Sequence, residues 1–136
     1  MQPGQLIGKH KIHIEEDVVH VVIQGDIHGD EAVTLCEQLT QVQRQYGLVF
    51  EVLDARASGS MSAAARRQLA EWYRSNHLDI EIVVFGASLF VRTMFSLMTN
   101  ALKILGRNHL QMQFVATEVE ARAWLAERRD HKRSAS

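Results

Sequence analysis

A single cysteine, Cys36, cannot form a disulfide within the chain, so a reducing, cytoplasmic setting is the expectation. Its place in an apolar helical row reads as a small buried hydrophobe rather than a reactive thiol. Charge of one sign is also lacking. Fifteen Lys and Arg stand against 16 Asp and Glu, a net charge of −1, which gives no overall pull toward nucleic acid or acidic membrane. No uninterrupted stretch reaches the ~18 apolar residues that a spanning helix needs. The start, MQPGQLIGKHKIH, lacks the apolar core of a signal peptide. HExxH, P-loop, GxGxxG and GxSxG motifs are absent, Cys36 has no obvious histidine partner, and the seven histidines are scattered. No catalytic set and no cofactor is therefore expected.

What is present is an ordinary globular composition, 46% apolar and 23% charged, in 136 residues, enough for one domain with a real core. HKIHIEE (10–16) alternates apolar and polar residues as a half-buried strand, and VVHVVIQG (18–25) is a more continuously apolar one. The brief Glu16-Asp17 connection makes them an antiparallel hairpin. Asp30 can cap a helix through about Tyr46, with Gly47 as its stop. LVFEVLD (48–54) is the third strand, and the polar ARASGSMS leads into a helix over 62–76 with Leu69, Trp72 and Tyr73 inward. DIEIVVFG (79–86) is a fourth strand, 88–105 a third helix, and LQMQFVA (110–116) a fifth strand. Thr117-x-x-Glu120 is a capping-box signature for the last helix, with Ala121, Trp124 and Leu125 inward.

The order ββαβαβαβα implies a single α/β domain with about four helices. Its sheet is a mostly parallel one of five strands with one antiparallel edge strand. The domain spans 9–127, and 128–136 reads as a charged flexible tail. Its basic cluster, Arg128, Arg129, Lys132 and Arg133, reads as solvated. Such sheets hold their chemistry at the carboxyl ends of the strands, so GDIHGD, ASGSMS and FGAS should face one rim.

GDIHGD (25–30) raises a specific alternative, since Gly-Asp-x-His-Gly after a strand opens the metal site of many phosphoesterases. On that reading Asp26 and His28 are metal ligands of a hydrolase. A dinuclear site needs further Asp, Asn and His ligands at later strand ends. After the third strand the chain offers only Asp54-Ala-Arg-Ala-Ser-Gly, and Asn76-His77 precedes the fourth strand, at the opposite rim. The simpler reading is structural: Gly25 ends a strand, Gly29 supplies permissive backbone, and Asp26 or Asp30 caps the helix.

Over about residues 9–127 the chain resembles the STAS domains, typified by bacterial anti-sigma-factor antagonists. The carriers are VVHVVIQGDIHGDEAVTLCEQL, a strand, a glycine and a helix, and VFEVLDARASG, a strand ending in Asp before a serine-glycine segment. IVVFGASLFVR and VATEVEARAWLAERR look closer to a STAS-like branch related to lipid-binding domains. The resemblance implies a non-enzymatic domain that binds a regulatory protein partner or an apolar, lipid-like ligand. In the antagonists a serine before the second helix is phosphorylated, which switches binding. Ser58-Gly59 is the nearest match, so Ser58 and Ser60 are the switch candidates. Arg56 and Ser60 depart from the antagonist pattern Asp-Ser-Ser-Gly-apolar. A phosphate there could be held by the helix N-terminus and Arg56, Arg66 or Arg67. The plainer roles are an N-cap for Ser60 or Ser62 and a turn for Ser58.

The third helix has more apolar surface than one sheet contact requires. Phe90, Val91, Met94, Phe95, Leu97, Met98, Ala101, Leu102, Ile104 and Leu105 fill about half its circumference. The surplus can pack within the domain, line an apolar ligand pocket, form a homodimer or touch a membrane. Phe90, Met94, Phe95 and Met98 are the candidate ligand or interface residues.

Overall fold

Two side-chain sets alternate along each central strand, and a strand with both sets apolar must be covered on both faces. The computed structural model, which describes residues 4–106 and 109–135, shows how this is done. In chain order the elements are β1 (Gln5–Ile7), β2 (His10–Glu15), β3 (Val18–Ile27), α1 (Gly29–Tyr46), β4 (Leu48–Met61), α2 (Ala63–Ser75), β5 (Asp79–Phe85), α3 (Leu89–Ile104), β6 (Leu110–Val115) and α4 (Glu118–Ala135). The strands form one sheet in the order β1-β2-β3-β4-β5-β6, antiparallel from β1 to β3 and parallel from β3 to β6.

Val19, Val21, Ile23, Val49, Leu53, Ile80, Ile82 and Val84 face the larger core beneath α1, α2 and α3. Val18, Phe50, Val52, Val83 and Phe85 face the other side, where α4 covers them with Ala121, Trp124 and Leu125. Helices begin and end on the expected chemistry in three places. The Ser62 hydroxyl accepts from Ala65 N–H at 3.1 Å, Thr117 Oγ1 accepts from Glu120 N–H at 3.2 Å, and Gly47 closes α1 with φ +82°.

The sheet has one strand more than the five expected. Gly8, at φ +61°, turns the chain so that Gln5, Leu6 and Ile7 pair with Ile12, Lys11 and His10. A second difference is the length of β4, which runs on past Asp54 to Met61. ARASGSM is polar and small, yet it pairs with the end of β3 through Gln24–Ala57, Gly25–Ser58 and Ile27–Met61, with register shifts between Val22 and Gln24 and between Gly25 and Ile27.

The third difference corrects the expected flexible tail at 128–136. α4 continues through Ala135, and residue 136 lies outside the described residues. Three of the four basic residues that read as solvated meet acids at the amino-terminal edge of the sheet. Arg128 donates to both carboxylate oxygens of Glu81 at 2.7 and 3.1 Å, Arg129 to Asp17 at 2.7 Å, and Lys132 to Asp79 at 3.0 Å.

Candidate functional site

The three segments expected at one rim do meet there, with little space between them. A Cβ on Gly59 would lie 2.3 Å from Asp26 Oδ1, one on Gly86 2.3 Å from Arg56 Cγ, and one on Gly29 2.9 Å from Ala64 Cβ. Gly29 is thus needed for close approach of α1 to α2 rather than for a permissive backbone. Gly25 has φ +71° but lies within β3, which continues to Ile27.

Neither Asp26 nor Asp30 caps α1. His28 is the N-cap residue, and its N–H donates to Glu31 Oε1 at 2.9 Å. Glu31 also meets His10 Nε2 at 3.2 Å, while His10 Nδ1 accepts from Gln24 N–H at 3.0 Å, which ties the β1–β2 hairpin to α1. Asp26 instead accepts from Ser60 N–H and Oγ at 2.8 and 3.1 Å, and these bonds hold its carboxyl below the usual range. Among the described residues no three His, Cys, Asp or Glu side chains are grouped to hold a metal ion. The donor set of a phosphoesterase is not assembled around Asp26 and His28.

The serine candidates sit in the β4 extension rather than in a loop. Ser58 Oγ donates to Ala55 O at 2.8 Å, and exposed Ser60 is bonded to Asp26. A phosphate on Ser60 would face that carboxylate. Arg56 is already engaged by Asp54, donating to it from the side chain at 2.9 and 2.6 Å and from the backbone at 3.1 Å. The Arg56 side-chain bonds outweigh burial and hold the Asp54 carboxyl low.

The four α3 candidates divide. Phe95 is buried, Met94 and Met98 are half-buried, and Phe90 is 67% exposed. Phe90 belongs to an exposed stripe with Leu89, Leu97 and Ile104, which fall on one side of the helix at about 100° per residue. Beside the stripe, between α2 and α3, lies a cleft of about 190 Å³ lined by Met61, Arg66, Ala70, Met94, Phe95 and Met98.

Met61, Met94 and Phe95 are also walls of a smaller cavity of about 40 Å³ inside the larger core. Glu51 and Tyr73 lie among its otherwise mostly apolar lining, with Ser58 and Ser60 at the β4 end. Glu51 is only 1% exposed, and among the described residues its Oε1 has no hydrogen-bond partner. Burial alone pushes its carboxyl up to about 8, so it is largely protonated at neutral pH. Burial is also the main cause that pushes the Cys36 thiol up to about 12 and the Tyr73 phenol above its ordinary value, with the Glu51 charge adding to both. Cys36 is accordingly an inert core thiol. The sequence reading passed over Glu51, although a glutamate between Val49 and Leu53 on a strand buried on both faces was the available signal.

On the α4 side an open depression of about 370 Å³ is lined by residues including His13, His20, Asp54, Glu118 and Arg122. His20 packs its ring 5.6 Å from that of His13, and burial first, then His13, lowers its pKa.

The architecture has solved counterparts. The anti-sigma factor antagonist SpoIIAA, in its unphosphorylated form, matches with a TM-score of 0.59 at 10% identity, over 86% of this chain and 97% of that one. An uncharacterized DUF3478-family protein with a SpoIIAA-like fold, from Shewanella loihica, matches with a TM-score of 0.55 at 12% identity, over 84% of this chain and 89% of that one. No protein-family model and no curated protein matches the sequence. At such identities the likeness carries the fold and leaves activity to be argued from the site. This chain has the SpoIIAA-like, STAS fold.

Proposed function

We propose that this domain is a non-enzymatic binding module whose site is the cleft between α2 and α3, and that it holds a small apolar, lipid-like ligand. The observation that carries the reading is the state of α3. It leaves Leu89, Phe90, Leu97 and Ile104 67–86% exposed, and Met94 and Met98 open the cleft beside them. Methionines give such a cleft walls that re-pack around different apolar shapes. At about 190 Å³ it is below the roughly 300–1,000 Å³ of pockets for drug-sized ligands, which suits a short chain or ring. Arg66 is the one charged residue in its lining and offers a contact for a polar substituent at the rim.

A regulatory protein partner is the second reading, and the flat exposed stripe favours it. A partner helix, or the same helix of a second copy, would cover Phe90 and Leu97 in a way that a small ligand in the cleft would not. The fold of an anti-sigma factor antagonist is consistent with that role.

Native mass spectrometry of the freshly purified protein separates the readings. A ligand adduct lost in Met94→Ser and Met98→Ser but kept in Phe90→Ser supports the cleft. Dimers or partner complexes lost in Phe90→Ser and kept in the methionine variants support the stripe. A bare monomer that binds no added apolar probe would overturn the first reading.

A further inference from the structure

The cleft and the core cavity share three walls, Met61, Met94 and Phe95. Two of these are methionines, so the partition between the cleft and the cavity that holds Glu51 is built largely of side chains able to re-pack. The polar groups at the β4 end of the cavity are already engaged, since Ser58 Oγ donates to Ala55 O and Ser60 Oγ to Asp26. Among the described residues Glu51 Oε1 has no hydrogen-bond partner. No cation among them faces Glu51, whose raised pKa has burial as its cause. Val19 and Ile82 flank it on β3 and β5, and the titratable neighbours that act on or respond to it are Cys36 of α1 and Tyr73 of α2. Val91, Met94 and Phe95 are the lining contributed by α3 and carry no charge.

A buried carboxyl acid presents one donor and one acceptor side by side. An anion would bring an uncompensated charge into an apolar enclosure that offers few further hydrogen bonds, and a cation would do the same or force an ion pair there. An uncharged head with its own adjacent donor and acceptor completes both bonds. Resting on the cleft reading above, we infer that Glu51 is the head-group site of the ligand. It takes the neutral amide or undissociated carboxyl of a short acyl chain whose apolar part lies against Met94 and Met98. Glu51 thereby selects against charged amphiphiles, a discrimination that the apolar cleft alone does not provide.

The test is calorimetric titration with octanamide, which stays neutral throughout, and with octylammonium and methyl octanoate as controls. Wild type is expected to bind octanamide best. Glu51→Leu should weaken octanamide binding about tenfold or more while leaving methyl octanoate little changed. Glu51→Gln, which keeps a donor and an acceptor, should retain octanamide binding. Octanamide affinity of wild type should fall as pH rises past about 8, and that of Glu51→Gln should not. Thermal melts of each variant confirm folding before titration. Equal octanamide affinity in wild type and Glu51→Leu, with binding abolished by the cleft-filling Ala70→Phe, would overturn the Glu51 assignment and leave the cleft reading standing. Failure of all probes to bind any form would overturn both.

Discussion

Glu51 and Glu81 lie on adjacent strands, point to opposite faces of one sheet, and are each 1% exposed, yet their surroundings differ in kind. Glu81 is gripped by Arg128 through two hydrogen bonds, with Lys132 Nζ at 3.5 Å as a second cation. That pairing raises the Arg128 pKa further and anchors the last turns of α4. Glu51 has an unpartnered oxygen and apolar neighbours. A paired buried acid is explained by the architecture it holds together. An unpaired one is a cost to folding, and buried polar groups that folding does not require cluster at functional sites. The contrast sets a structural role for the α4 face beside the binding role proposed for the α1–α3 face.

The largest effect expected is on the structural side. Arg128→Ala should lose roughly 3–5 kcal/mol in urea denaturation, because it strips the chief partner from a buried carboxylate. A loss within about 0.5 kcal/mol, the range of an ordinary surface change, would mean that Glu81 does not depend on α4 and would erase the contrast.

Next in size is a split within α3. Phe95→Ser should cost roughly 3–5 kcal/mol as a core deletion. Phe90→Ser should stay within about 0.5 kcal/mol because the ring is mostly in solvent. Equal losses would mean that the exposed stripe is part of the folding core rather than a free surface.

Glu51 should behave in the opposite sense to Arg128. Glu51→Leu should raise stability by about 1–3 kcal/mol, since it removes a buried group without a complete set of partners. Glu51→Gln sharpens this through pH. A carboxyl raised from 4.5 to about 8 on folding contributes stability that is full below 4.5 and lost as pH rises through about 8. Wild type should therefore fall in stability relative to Glu51→Gln across that window and run parallel to it above. Parallel curves throughout would show that Glu51 is not buried as an acid. For scale, Ser62→Ala, which removes one ordinary cap from α2, should cost about 1 kcal/mol by the same denaturation assay.

The strand–helix order was legible because period-2 and period-3.6 patterns alternate cleanly from His10 onward. β1 was not, because three residues are too few to show a period and its pairing depends on the Gly8 turn. The β4 extension was hidden by composition. ARASGSM carries turn residues, and its strand state comes from partners on β3 and from buried Ala55 and Met61. The helical tail was misread for a related reason, since Arg128 and Lys132 read as solvated until the acids they meet are placed beside them. Of the proposed site, Met94, Met98 and Phe90 follow from helical periodicity, while Met61 on β4 does not. Glu51 was not picked out, although it is the one charged residue within the otherwise apolar run 48–53.

Methyl NMR of the methionines during an octanamide titration tests the binding site most directly. The cleft and core cavity predict that the Met61, Met94 and Met98 resonances shift together with one affinity. Met112, which lies on β6 and lines neither space, should stay in place. Saturating octanamide that moves none of the three, or that moves Met112 as much as Met94, would contradict the account.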